Sequence, residues 1–206
     1  ITHPNLLWFE RILELIEVKS KKLVSSFKKE SLESFLEIYI KKSDTSFLYN
    51  NNMVDLLLNK GPKISDLVMQ YREWLLKYAC SYNNKPLVEK IIKEDININV
   101  SHFDDYSSIE NIPLTQNALT IACRKGFIDI VVCLINKGAL VDMRNFINKT
   151  ALIYACQNGH LEIARFLIQE EAQINLQDKY GKTALMYACE NGHVDLVEML
   201  LEEGAD

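Results

Sequence analysis

The sequence predicts an all-α solenoid of stacked helix–turn–helix units, and three observations lead to it. Residues 145–168 and 178–201 match each other at a constant offset, so that Tyr154–Cys156 falls on Tyr187–Cys189 and Gly159 on Gly192. A period of that length suits two short helices and a connecting turn. The chain has only 7 Gly and 4 Pro, which argues against linkers and all-β folds. Its hydrophobic content of 48% is typical of a chain that forms an ordered core.

Residues 1–61 are predicted to form an N-terminal helical region. Apolar residues recur at helical spacing in its first stretch, and again at 32–40, where Ser31 is a suitable N-cap. The segment 57–61 is similar to 200–204, so we expect residues 31–61 to be a degenerate unit that caps the stack. The alternative is a plain helical domain that docks on the repeats.

Four units are predicted to follow within residues 62–206. Their approximate ranges are 62–95, 96–138, 139–171 and 172–206. In the first unit, Asn83 occupies the position of a turn glycine, which suits a left-handed backbone. The second unit is longer than the period, because Ala79 and Ala122 lie farther apart in sequence than Ala122 and Ala155. We assign the extra length to an inserted loop at 100–116.

The fourth unit carries the most complete motif, with turn residues, a helix start, a Gly-His hinge and a Leu-rich helix. Its members are Asp178, Gly181, Thr183, Ala184, Leu185, Ala188, Gly192, His193, Leu196, Val197, Leu200, Leu201, Gly204, Ala205 and Asp206. This pattern resembles the ankyrin-repeat family, clearly over 62–206 and weakly over 31–61. The departures, such as Ala184 where the family has Pro and Met186 where it has His, remain compatible with a helix. Asn148 likewise replaces the turn glycine found at Gly181.

The resemblance implies paired helices with projecting β-turn or hairpin loops, and protein binding through those turns and the concave inner-helix face. Carried over by position, the turn candidates are Phe146, Ile147, Lys149, Lys179, Tyr180 and Lys182. The inner-helix candidates are Arg124, Lys125, Gln157, Asn158, Glu190 and Asn191. Phe146 and Ile147 stand out, because two large apolar side chains in a turn suit an anchor for a partner. The alternative is that they pack on the neighbouring insertion.

The insertion is a second candidate for binding. It contains Phe103, Asp104, Asp105 and Tyr106 but no Lys or Arg. Long loops are often functional, and an acidic, aromatic loop suits a basic partner. An idle surface loop is the alternative interpretation.

The sequence contains no pattern that predicts catalysis, a cofactor or a metal site. Nucleotide-binding glycine loops, zinc-protease helices and serine-hydrolase elbows are all absent. Cys80, Cys123, Cys156 and Cys189 recur beside Ala at equivalent positions, so we expect small buried residues rather than ligands. His160 and His193 each follow a turn glycine and are predicted to be structural.

The overall charge of −5 gives no electrostatic reason to expect nucleic acid as a partner, and no apolar run is long enough to span a membrane. The five cysteines, an odd number, favour a reducing intracellular setting, cytoplasmic or nuclear. We therefore predict a non-catalytic protein–protein interaction module. The alternative is the recognition part of a larger enzyme or effector, with further repeats or another domain after Asp206.

Overall fold

A computed structural model describes residues 69–94, 96–100 and 116–206 of the chain. The predicted N-terminal region at 1–61 and most of the predicted insertion lie outside these residues. Eight α-helices make up the regular structure of the described ranges. They are α1 (Met69–Ser81), α2 (Lys85–Ile91), α3 (Ala118–Lys125), α4 (Ile128–Asn136), α5 (Ala151–Gln157), α6 (Leu161–Gln169), α7 (Ala184–Glu190) and α8 (Val194–Glu202).

The helices form two stacked layers, as the sequence period predicts. The inner helices α1, α3, α5 and α7 pack each on the next, and the outer helices α2, α4, α6 and α8 form a second row. Each inner helix also packs on the outer helix that follows it. The predicted unit boundaries stay predictions, although one helix pair falls within each predicted unit.

The core repeats with the sequence period. Ladders such as Ile130, Ile163 and Leu196, or Leu134, Leu167 and Leu200, are almost fully buried between the layers. Full burial of a side chain of this size contributes about 1.5–3 kcal/mol. A single helix pair has too few such residues, so the neighbouring units supply the rest of the core.

Local backbone chemistry sets where each helix starts. Thr150 and Thr183 cap α5 and α7, and each hydroxyl accepts a hydrogen bond from a backbone N–H in the first turn of its helix. Asn117 caps α3 in the same way, with a distance of 2.8 Å from Oδ1 to the backbone nitrogen of Thr120. These caps satisfy N–H groups that the first helical turn leaves unpaired.

The turns between helices need a left-handed backbone, and the residues predicted to adopt it do so. Asn83 and Asn148 both have φ of 55°, so they do replace glycine at these turns. Gly126 has a further reason to be glycine: a Cβ there would lie 2.7 Å from the ring of His160 in the next unit. The His160 ring also lies 3.1 Å, through Nε2, from the backbone oxygen of Arg124. His160 therefore joins two successive units, as expected of a structural histidine.

Candidate functional site

The turns that precede α5 and α7 are built on one acidic or amide side chain each. Asn145 Oδ1 accepts backbone N–H groups from Ile147 (3.1 Å) and Lys149 (2.9 Å). Asp178 Oδ1 does the same for Tyr180 (2.8 Å) and Lys182 (3.0 Å). A backbone hydrogen bond closes each turn across its base. The tips of the two turns, residues 146–148 and 179–181, are therefore held in a defined shape before any partner binds.

A tyrosine of the following inner helix supports each turn from below. Asn145 Nδ2 donates to the hydroxyl of Tyr154 at 2.9 Å, and the hydroxyl of Tyr187 donates to Asp178 Oδ2 at 2.7 Å. Burial opposes ionisation of Asp178, but the hydrogen bonds from Tyr187 and from two backbone N–H groups outweigh it and hold the pKa of Asp178 below its usual value. Burial and the Asp178 carboxylate together raise the pKa of Tyr187. The turn before α7 is therefore supported by the hydrogen bond between the Asp178 carboxylate and the Tyr187 hydroxyl.

The lysines that end the two turns both lie near the ring of Tyr187. Lys149 Nζ is 3.9 Å from the ring centre of Tyr187, in the next unit, and donates to Gln157 Oε1 at 2.8 Å. Lys182 Nζ lies 5.3 Å from the centre of the same ring and forms an ion pair with Glu190. Both arrangements join a predicted turn residue to a predicted inner-helix residue. Cation–aromatic contacts of this kind stabilise the turn against the helix.

Lys149 differs from the sequence expectation in its exposure. The sequence predicts that Lys149 is available to a partner, but its side chain is almost buried, with only 7% of the residue exposed. Desolvation lowers its pKa, although the carboxylate of Asp178 acts in the opposite direction. Lys149 therefore acts as a support beneath the tips, because the Tyr187 ring of the following unit covers it.

The tips themselves are exposed. Phe146 is 58% exposed and Tyr180 is 66% exposed, whereas Ile147 is half-buried. The backbone oxygen of Ile147 accepts the N–H of Lys179 at 2.9 Å, so the two tips are directly linked. The Lys179 ammonium lies 4.9 Å from the ring centre of Tyr180. Two large aromatic side chains and a cation are thus presented on neighbouring, hydrogen-bonded turns.

The predicted residues at the ends of the inner helices fall into two groups. Lys125 and Glu190 are exposed, and Arg124 is half-buried with a buried Nε that makes no hydrogen bond. Asn158 and Asn191 instead donate, each at 2.8 Å, to a backbone oxygen one turn back in their own helix. These two amides complete the helix ends, which limits what they can offer a partner.

The remaining candidates were Phe103, Asp104, Asp105 and Tyr106 of the insertion. They lie outside the described residues, and their role stays a prediction. Tyr154, Tyr187, Asn145 and Asp178 also belong to the site, although they are not among the residues that the sequence predicts for it. Their signal is the recurrence of the tyrosines and the turn residues with the repeat, which by itself indicates only a structural role.

The cysteines follow the expectation in part. Cys80, Cys123 and Cys156 are buried, and burial raises the pKa of the Cys156 thiol to about 12. The prediction was wrong for Cys189, which is exposed, because no unit in the described chain packs on the far side of α7. In the described ranges, no group of three or more His, Cys, Asp or Glu side chains is arranged to hold a metal ion.

A comparison of the sequence with known protein families agrees with the observed fold. The sequence matches the family described as ankyrin repeats (3 copies) over residues 102–178 and 119–206, which together span just over half of the chain. The chain belongs to the ankyrin-repeat family. Ankyrin repeats generally act in protein–protein interaction and are typically non-catalytic. A search of curated proteins finds no match. None of the helices that the structure describes is long and apolar enough to cross a membrane.

Proposed function

We propose that this ankyrin-repeat protein is a protein-binding module without chemistry of its own, and that it binds its partner through the tips and the inner, concave side. The observation that carries the proposal is the exposure of Phe146 and Tyr180 on turns that internal hydrogen bonds already hold. Exposed aromatic side chains on a rigid support lose little conformational entropy on binding. They are therefore effective anchors.

The arrangement beneath the tips supports the same proposal. Lys149 is almost fully buried, and desolvation lowers its pKa. It is held between Tyr187 and Gln157, where it fixes the turn against α5 and the next unit. Packed and hydrogen-bonded supports of this kind hold the exposed side chains of a binding site in a fixed geometry.

Photo-crosslinking with the full chain tests this proposal. A photoreactive amino acid replaces Phe146 or Tyr180, and in a control it replaces Val194, an apolar residue of α8 that is 63% exposed. We expect the two tip positions to crosslink the same protein and position 194 not to do so. Phe146→Ala and Tyr180→Ala, but not Val194→Ala, should then weaken its binding at least tenfold. A partner captured equally at position 194, or insensitive to both tip variants, contradicts the proposal.

A second candidate is that these repeats are the recognition part of a larger enzyme or effector. One observation favours it: Met186, Val194 and Leu201 of the fourth unit are all large, apolar and exposed. Ile153 occupies the matching position in the third unit, and it is almost fully buried beneath the fourth unit. A further unit or domain is one structure that covers such a face. Reading the open reading frame beyond Asp206 tests the idea, and a stop codon directly after that residue contradicts it.

A further inference from the structure

Within residues 116–206, charge is divided sharply between the two sides of the repeats. We define the inner side as residues 116–127, 143–159 and 176–192, which hold the inner helices α3, α5, α7 and the turns before α5 and α7. It contains six Lys or Arg and two Asp or Glu, a formal charge of +4. The outer side, residues 128–142, 160–175 and 193–206, contains two Lys or Arg and ten Asp or Glu, a formal charge of −8. The overall charge of −5 hides this separation.

The two acids of the inner side are already engaged within the protein. Asp178 is buried and accepts hydrogen bonds from Tyr187 and from its own turn. Glu190 is paired with Lys182. Across the described part of the chain, Lys125, Arg144 and Lys179 are exposed cations that take part in no ion pair. The positive charge of the inner side is therefore not neutralised locally.

Two of the unpaired cations lie on elements that the proposed function uses. Lys179 is adjacent to Tyr180 in sequence and in space. Its backbone N–H donates a hydrogen bond to the tip that carries Phe146. Lys125 is the last residue of the inner helix α3. An extended partner that contacts the aromatic tips and crosses the inner side therefore runs through a positive field.

We propose that the partner presents an acidic segment, rich in Asp or Glu, to the inner side of these repeats. This inference rests on the proposed function and names the chemistry of its partner. Carboxylates of the partner pair with Lys125 and Lys179, while its apolar groups contact the aromatic tips. Complementary charge of this kind raises the association rate and rejects basic competitors.

A protein segment fits better than a nucleic acid, although both are anionic. Nucleic acids are long polyanions, and their binding depends on many phosphate contacts over an extended basic surface. Here the cations are few, and the outer side and the whole chain are negative. A nucleic acid therefore finds too few contacts here, whereas a short acidic peptide needs only the few local cations.

Binding measurements on the full chain test the inference. The probes are a labelled oligo-glutamate peptide, an oligo-glutamine peptide of the same length, and a single-stranded DNA oligonucleotide, compared by fluorescence anisotropy. We expect only the oligo-glutamate to bind, and its affinity to fall steeply as salt rises to about 0.3 M, because salt screens exposed pairs.

Matched double variants separate a local site from net charge. Lys125→Glu with Lys179→Glu should weaken oligo-glutamate binding about tenfold or more, as expected for two reversed contacts. Lys137→Glu with Arg165→Glu changes the net charge equally on exposed positions of the outer side, and should change affinity less than twofold. Unfolding midpoints close to that of the unaltered protein confirm that both variants fold.

Three results overturn the inference. They are failure of the oligo-glutamate to bind, equal loss of affinity in both double variants, and DNA binding that depends on Lys125 and Lys179. None of them decides the proposed function, because crosslinking of a partner at positions 146 and 180 is measured independently. A partner captured at the tips that lacks an acidic segment leaves the proposed function standing and removes only this inference.

Discussion

The third and fourth units, 139–171 and 172–206, share a backbone but differ in side-chain chemistry and in burial. Asn145 and Asp178 close equivalent turns with the same pattern of hydrogen bonds, yet one is neutral and the other is a carboxylate. Gln157 accepts from Lys149 as a neutral amide, and Glu190 pairs with Lys182 as an ion. The fold therefore tolerates either chemistry at these positions, and charge is the variable that distinguishes the units.

Burial differs for another reason. Within the described chain, the third unit is covered on both sides, whereas the fourth is covered only on the side of α5 and α6. As a result, Ile153 is 1% exposed while its counterpart Met186 is 45% exposed. Side chains at equivalent positions of a solenoid thus contribute unequally to the free energy of unfolding, because each unit receives much of its core from its neighbours.

The largest expected effect is at that pair of positions. Ile153→Ala should reduce the free energy of unfolding by about 2–5 kcal/mol, because it leaves a cavity between α5 and α7. Met186→Ala should cost less than about 1 kcal/mol, because its side chain already contacts solvent. Urea unfolding of both variants checks this. Equal losses would mean that the far side of α7 is covered in solution, for example by a second copy of the chain.

A smaller effect is expected at the hinge glycines. Gly159 and Gly192 both have positive φ, so replacement by Ala strains both backbones by about 1 kcal/mol. At Gly159 an added Cβ also lies 2.8 Å from the His193 ring, whereas at Gly192 it meets nothing within 4 Å. Gly159→Ala should therefore cost about 1–3 kcal/mol more than Gly192→Ala.

Thermal or urea unfolding measures that difference, and adding His193→Ala to each variant isolates its cause. The excess cost at Gly159 should largely disappear when the ring is absent. If it persists in the double variant, the histidine is not what requires glycine at this hinge.

The smallest expected effect is at the turn of the fourth unit. Asp178→Asn gives that turn the chemistry of Asn145, and should cost about 1 kcal/mol at neutral pH through loss of a charged acceptor for the Tyr187 hydroxyl. The folded pKa of Asp178 is held below its unfolded value, so the contribution of its charge is complete above about pH 3.9. It is lost as the pH falls through the lower folded pKa.

Unfolding curves of both proteins from neutral to acid pH check this expectation. The difference between the unaltered protein and Asp178→Asn should shrink to nothing at the acid end. A difference that is independent of pH would show that the geometry of the turn, and not the carboxylate charge, accounts for the cost.

Much of the candidate site could be predicted from the sequence because its position follows from the repeat. The constant offset between units placed Phe146 and Tyr180 in turns, and both are exposed there. The burial of Lys149 could not be predicted, because the ring that covers it belongs to Tyr187, which is distant in sequence and lies in another unit. Cys189 was wrongly predicted to be buried, because an identical local sequence does not specify what packs on it.

The sequence by itself determined the repeat period, the helix caps and the left-handed turns. These features depend on backbone requirements within a few residues, such as an acceptor at Thr150 or a positive φ at Asn148, and residue type meets them locally. Only the tertiary structure decided which cations are buried, which acids are already paired, and how charge divides between the two sides. Those properties depend on contacts between units and between the two helix layers, where the same residue type meets a different neighbour.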